Sequence, residues 1–314
     1  MTLAAALILG ATLGAYVGPR ILGRLVERAR DPLTMIICWI GSIIAVPVTF
    51  MVGVGMLLLP GGGPGGLFSG LVHHCWTMLR HGRAPEVDEL LGAFGVAAIV
   101  ILVIRFLEVA AQDARARRRV HRAHLGLRAV TDPDATTSTA VLWLDHARPV
   151  AYSVGGHPGL VVASSGLRQL PAPQVAAVLT HERAHLRGRH HLLVALAQAL
   201  ASAAPMVPLF RHAPTAMRLL VEVAADAAAA RLHGRPAVRA ALLNLQGPAG
   251  PGQVLAMADG ELGPRLTWLQ PCGPAGGVVG RTGVRAAATL AIPVLPAIAG
   301  LGTMLLVVAV SCPT

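Results

Sequence analysis

The sequence predicts a mostly α-helical membrane protein, with four transmembrane helices and an α+β domain inserted between the third and the fourth. Charged residues make up only 13% of the 314 positions and mean hydropathy is +0.62, unlike an ordinary soluble chain. No charged side chain occurs from Met1 to Gly18, between Asp31 and Arg80, or after Arg285. An uncharged apolar run of about 20 residues is long enough to cross a hydrocarbon core of roughly 30 Å.

Taken in order, the spans fall at about 3–18, 34–59, 90–109 and 287–310. The first lacks a basic segment before its apolar stretch, so it reads as a retained span and not as a cleaved leader. The third has the shortest uncharged core, since only 90–104 separate Glu89 from Arg105, whose long side chain must reach back to the interface. Residues 1–109 thus form a membrane region. Arg20, Arg24, Arg28 and Arg30 lie in the first loop, against only Arg80 and Arg83 in the second. Arg105, Arg115, Arg117, Arg118, Arg119, Arg122 and Arg128 follow the third span. Positive-inside bias then puts the first loop and 110–286 in the cytoplasm, with both termini outside a multi-pass plasma-membrane protein. The arginine cluster at 115–122 reads as a juxtamembrane grip on anionic lipid; direct nucleic-acid binding is not expected. Cys38, Cys75, Cys272 and Cys312 show no paired spacing, which argues against a disulfide framework or a zinc ribbon. His73, His74 and Cys75 read as interfacial polar residues beside Trp76.

Within the cytoplasmic part, 110–243 has the pattern of a folded domain and 244–286 that of a Gly/Pro-rich connector. Short β-branched runs around Gly155-Gly156 and Pro158-Gly159 predict a hairpin over 138–165. Pro171 and Pro173 precede a helical pattern to about His190. A second helix is predicted from near Pro214 to His233, closed by Gly234 and Pro236.

The first of these helices carries His181-Glu182-Arg183-Ala184-His185. Residues four apart on a helix share a face, so His181 and His185 can present two imidazoles to one Zn²⁺. Glu182, beside a ligand, is then the candidate general base. The second helix carries Glu222 and Asp226 in an otherwise apolar stretch, LLVEVAADAAAA. A carboxylate there is costly unless paired or bound to metal. Glu222 is the candidate third ligand, and Asp226 the candidate acceptor for the second ring nitrogen of a ligand histidine. Alternatively, both carboxylates pair with Arg218 or Arg231 at an exposed helix edge. A rival ligand set uses His191, because 181–191 spells H-E-x-x-H-x-x-G-x-x-H with Gly188 as the turn. His190 and His191 otherwise read as a polar helix end.

The apolar stretch 192–210 sets a geometric condition. If it crossed the membrane once, Glu222 would lie on the far side from His181. A shared metal requires it to fold back, as a re-entrant or buried hairpin that Pro205 and Pro208 permit. His212, Arg218 and Arg231 are candidates to stabilise an oxyanion, and the strand near Leu160–Ala163 is a candidate to pair with an extended substrate.

The run from Val150 to His191, followed by Glu222-Val-Ala-Ala-Asp226, resembles the BlaR/MecR-type membrane metallopeptidases, and is similar to the HtpX-type peptidases that share their core. The resemblance implies a gluzincin-like zinc peptidase domain with one Zn²⁺ per chain. His181, His185 and Glu222 would be its ligands, Glu182 its general base and Asp226 a supporting partner. It implies cleavage of a protein or peptide substrate, either a winged-helix repressor of the BlaI/MecI type or, as in HtpX-type enzymes, damaged membrane proteins. A non-enzymatic zinc-binding scaffold or sensor is the third option, and a homo-oligomer is compatible with all three. Relatives that sense β-lactams carry a penicillin-binding domain after the last span. Here the chain ends at Thr314, so no covalent antibiotic sensor is expected.

Overall fold

The computed structural model describes residues 2–28, 31–58, 87–131, 141–245 and 258–270. The expected fourth span and the His73-His74-Cys75 cluster lie outside the described residues.

Three long helices come first: α1 (Thr2–Arg28), α2 (Pro32–Leu58) and α3 (Val87–Thr131). Segments of all three, Ala4–Val26, Pro32–Met56 and Phe94–Gly126, are long and apolar enough to cross a membrane. Two outrun the spans expected from charge alone. α1 continues past Gly18, and α3 does not stop at 109 but runs on through the arginine cluster. Alanine and arginine are strong helix formers, so the polar stretch after 109 has no reason to break the helix. Asp113 and Arg117 add an i,i+4 ion pair on it.

The domain that follows opens with a small sheet: β1 (Val141–Leu144), β2 (Ala151–Val154) and β3 (Leu160–Ser164). The strand order is β1-β3-β2, with β1 parallel and β2 antiparallel to β3. β3 is the most apolar strand, and all five of its residues are buried. Its place in the middle corrects the expectation that Leu160–Ala163 receives a substrate strand, because both of its edges are already paired. Among the described residues, β2 is the strand whose outer edge adjoins the site.

A short 3-10 turn, Ser165–Gln169, leads into α4 (Ala172–Arg187). Ala163 and Leu167 pack with Val178, Val175 and Leu179, which fixes the sheet on that helix. Helices α5 (His190–Ala203) and α6 (Pro208–His233) form the fold-back that a shared site requires, turning at Ala204–Val207. Residues 192–210 therefore do not form one continuous helix. Gly234, with φ of +79°, ends α6 in a backbone conformation that glycine adopts without strain. The α5–α6 hairpin shares one apolar core with α1 and α2. Ala197, Leu209, Phe210, Met217 and Leu220 pack with Ala11, Ala15, Leu22, Trp39 and Ile43. The domain is therefore built into the helical region and not merely tethered to it.

Two further helices complete the described fold, α7 (Arg235–Leu245) and α8 (Ala258–Trp268). The second places a helix inside the segment 244–286, expected to be an irregular connector, of which 246–257 and 271–286 lie outside the described residues. Its C-terminal end is anchored by Leu269 and Trp268 against Ala177, Ala229 and Val238. The Arg235 guanidinium lies over the Trp268 ring and donates to the Gln270 carbonyl.

Candidate active site

Helix α4 has a single reason to be polar near its C-terminal end. His181 and His185 stand one turn apart and face α6, with their Nε2 atoms 3.0 Å from each other. α6 passes antiparallel to them and presents Glu222. Glu222 Oε2 lies 3.3 Å from His181 Nε2, and Oε1 lies 3.4 Å from His185 Nε2. A tetrahedral Zn²⁺ with bonds of about 2.0–2.1 Å would hold its ligand atoms about 3.3 Å apart. The two Nε2 atoms are 3.0 Å apart and each lies 3.3–3.4 Å from one oxygen of the same carboxylate, close to that spacing, and two imidazoles with a carboxylate are a zinc ligand set that leaves a fourth position open. The residues fit the ion.

Behind the triangle the site is charged. His181 Nδ1 lies 2.9 Å from Asp226 Oδ1, a side chain only 1% exposed. Asp226 in turn accepts two hydrogen bonds from Arg265, from Nε at 2.7 Å and Nη2 at 2.8 Å. Arg265 Nη1 reaches Glu222 Oε2 at 2.9 Å. One guanidinium therefore bridges both carboxylates of α6, using the fork geometry that suits arginine. It explains why two acids tolerate an apolar helix, and it replaces the expected alternative of pairing with Arg218 or Arg231.

These neighbours set the protonation states. Burial works against charge on His181, but hydrogen bonds to Asp226 and Glu222 outweigh it and raise its pKa to about 9. Burial pushes the Glu222 carboxyl up, yet His181 and Arg265 prevail and hold it at about 2. Asp226 is likewise lowered, against its burial, by Arg265 and His181. His185 takes the opposite direction: burial and the neighbouring His181 charge lower it to about 4. Burial raises the Glu182 carboxyl, opposed by the His181 charge and by a hydrogen bond from Ser153 on β2. An upward shift suits a group that must take up a proton near neutrality.

In front of the triangle lies a cavity of about 350 Å³, lined among others by Ser153, Gly155, His185, His190, Gln198, Arg218 and Glu222. Arg218 is thus beside the site, whereas His212 and Arg231 are exposed and outside this lining. His191 also faces the cavity, packed against Gly155, and is not part of the converging triad. The residue that clusters with His181 and His185 is Glu222.

Three contributors were not singled out from the sequence in these roles: Arg265, Ser153 and His190. For Arg265 a signal existed, since two acids on an apolar helix demand a cation. Nothing in the local sequence said which of the arginines supplies it.

No solved structure matches the chain. Residues 110–231 match the model of Peptidase family M48, a segment that includes both histidines, both acids of α6 and Glu182 but stops short of Arg265. The match and the convergent triad together support a metallopeptidase domain of family M48, a group whose members are typically zinc-dependent.

Proposed function

We propose that this chain is a membrane-embedded zinc-dependent endopeptidase that hydrolyses polypeptides at the cytoplasmic face of the membrane. The observation that carries it is the meeting of His181, His185 and Glu222 next to Glu182, within a segment that matches family M48. The apolar helices α1–α3, and the core they share with α5 and α6, support a location at the bilayer.

Zn²⁺, held by His181, His185 and Glu222, would supply a Lewis acid that acidifies water and polarises the scissile carbonyl. The chain's own residues do the remainder. Glu182 takes the proton of the attacking water and returns it to the departing amine. Asp226 accepts the His181 Nδ1 proton, which leaves Nε2 free as a donor atom. Arg265 offsets the charge of the two buried acids and keeps Glu222 ionised. The outer edge of β2 offers backbone groups to an extended substrate, beside Ser153, which contacts the base. Specificity for a peptide over a small molecule follows from such an edge, because it reads the backbone.

Regulatory cleavage of a winged-helix repressor is the favoured role, on the resemblance of 150–226 to the BlaR/MecR group. Quality control of membrane proteins is the second, and the merging of the domain core with α1 and α2 suits it. The test is zinc content and peptide or repressor cleavage by the purified full chain in detergent, wild type against Glu182→Ala. The reading expects about one zinc per chain in both proteins and cleavage by the wild type alone. Zinc without cleavage of any polypeptide would favour the scaffold or sensor alternative. Repressor cleavage in cells that is lost with Glu182→Ala would separate regulation from quality control.

A further inference from the structure

We propose that His190 is a positioning residue for the metal site, holding the His185 imidazole through its second ring nitrogen. The inference builds on the zinc reading above and assigns to His190 a role no motif gives it. His185 points Nε2 at His181 and Glu222, and its Nδ1 away from them. That Nδ1 lies 3.0 Å from Nδ1 of His190, a residue 6% exposed, so water has little access to replace the contact. If His185 Nε2 is to offer a lone pair, its proton sits on Nδ1 and must be donated. His190 Nδ1 is the acceptor, with its own proton on Nε2.

The backbone between the two rings is arranged for this contact. Five residues of uninterrupted helix would separate His185 and His190 by about 140° around the axis, on different faces. The chain avoids this by breaking the helix. Arg189 takes the left-handed conformation, with φ 48° and ψ 38°, and α5 starts anew at His190, which is turned back over the last turn of α4. Ordinarily glycine occupies the left-handed position at a helix end. Here the glycine is one residue earlier, at Gly188, where φ is −77° and any residue would be accommodated by the backbone. Its reason is steric. A Cβ on residue 188 would stand 2.3 Å from His190 Nε2 and 2.5 Å from Cδ2. Gly188 is absent a side chain because the His190 ring occupies that place. A strained arginine and a glycine with no conformational need both make sense if the ring contact is what the turn serves.

The two ligand histidines are then supported differently. His181 is backed by a carboxylate and His185 by an imidazole. Loss of such a supporting partner weakens metal binding by about 10- to 100-fold.

The experiment is zinc affinity of the full-length protein in detergent, measured by competition with a chromophoric chelator, which needs no turnover. His190→Leu fills the space without an acceptor and should weaken zinc by about 10- to 100-fold. His190→Asn places an oxygen where Nδ1 stood and should restore most of the affinity. Gly188→Ala, by displacing the ring, should reproduce the loss, and the double variant Gly188→Ala/His190→Leu should be no weaker than either single one. Cobalt substitution should show the visible band of His190→Leu shifted and that of His190→Asn near wild type. Wild-type affinity in His190→Leu, no rescue by His190→Asn, or losses that add in the double variant would overturn the role of His190 alone. A wild-type protein that binds no zinc would overturn the metal site and this inference together.

Discussion

The two ends of the site, separated by the width of one helix turn, are built on opposite electrostatic plans. At the back, His181, Asp226, Glu222 and Arg265 form a closed network of charges in which Asp226 is 1% exposed and the imidazole is held protonated in the metal-free protein, with a pKa of about 9. At the front, His185 and His190 are both lowered to about 4, chiefly by burial, and lie on a cavity large enough for a substrate side chain. Histidines one turn apart on α4 thus differ by several units because His181 has Asp226 as well as Glu222 to outweigh its burial, whereas for His185 burial and the His181 charge outweigh Glu222 alone. The difference separates two tasks. The Asp226 carboxylate is locked away from the cavity with Arg265, whereas the cavity side keeps its own charged lining, Asp113, Arg117, Arg218 and Glu222, around two neutral imidazoles.

Between the two ends stands Glu182, and removing its carboxylate should give the largest effect on activity while leaving both ends intact. Glu182→Gln is expected to lower kcat by about 10²- to 10⁴-fold, the usual range for a general base. Zinc affinity should stay within about threefold of wild type, because losing a supporting partner costs more than that and Glu182 is not a donor to the ion. Stopped peptide assays paired with metal analysis read both quantities. A Gln variant that still cleaves at the wild-type rate would show that the base lies elsewhere.

Breaking the charged back end comes next in size. Asp226→Ala leaves Arg265 without its bidentate acceptor and His181 without its hydrogen-bond partner, inside a packed region. Removing one member of a buried ionic network costs about 3–5 kcal/mol. The expected result is a lower thermal midpoint and weak zinc binding together. If the front-and-back contrast is correct, His190→Leu should weaken zinc with a smaller loss of stability, because only a neutral contact is removed. Equal destabilisation by both variants would erase the distinction.

How much of this could be read from sequence depended on whether a contact was local to one helix. His181, Glu182 and His185, and separately Glu222 and Asp226, follow from the i,i+4 geometry of a helix face. Their convergence required only that 192–210 fold back, which Pro205 and Pro208 made plausible. Arg265 was hidden because its partners are 39 and 43 positions away, in a stretch whose glycines and prolines suggested no helix. His190 was hidden for a different reason. Helical periodicity assigns it to another face, and the left-handed Arg189 that brings it round is not a conformation that arginine advertises. Hydrophobicity marks the most buried strand, which is the central one, while a substrate needs a strand with an unpaired edge.

Metal removal sharpens the comparison through pH. In the folded metal-free protein His181 titrates at about 9, above the unfolded value near 6.5. The charged imidazole therefore contributes stability that is complete below about pH 6.5 and is lost as pH rises towards 9, on the order of 3 kcal/mol at most. Thermal midpoints in excess chelator should fall over the upper part of that window, from about pH 7.5. His185 and His190, neutral when folded, give the opposite slope near pH 6.5, where the unfolded imidazoles still bind protons, and almost none above about pH 7.5. With zinc bound, the slope should flatten, because the ion takes the place of the proton on His181; conversely zinc binding at pH 7.5 should release a proton to the buffer. A chelated protein whose midpoint is constant from about pH 7.5 to 9 would contradict the charged back end.

Ser153 joins β2 to Glu182, the proposed base, so its removal tests whether the front of the site does more than admit a chain. Its hydroxyl hydrogen-bonds the Glu182 carboxylate from β2, and hydrogen bonds to charged groups contribute about 1.5–3 kcal/mol when no water can replace them. Ser153 is half-buried and lines the cavity, where water can enter, so the loss in Ser153→Ala should be at the small end, a drop in kcat of about tenfold or less. The backbone of β2 is untouched by this change and still offers its edge, so KM should hold. A rise in KM at constant kcat would mean that the hydroxyl binds the substrate instead of orienting the base, and would move Ser153 from the catalytic to the recognition side of the cavity.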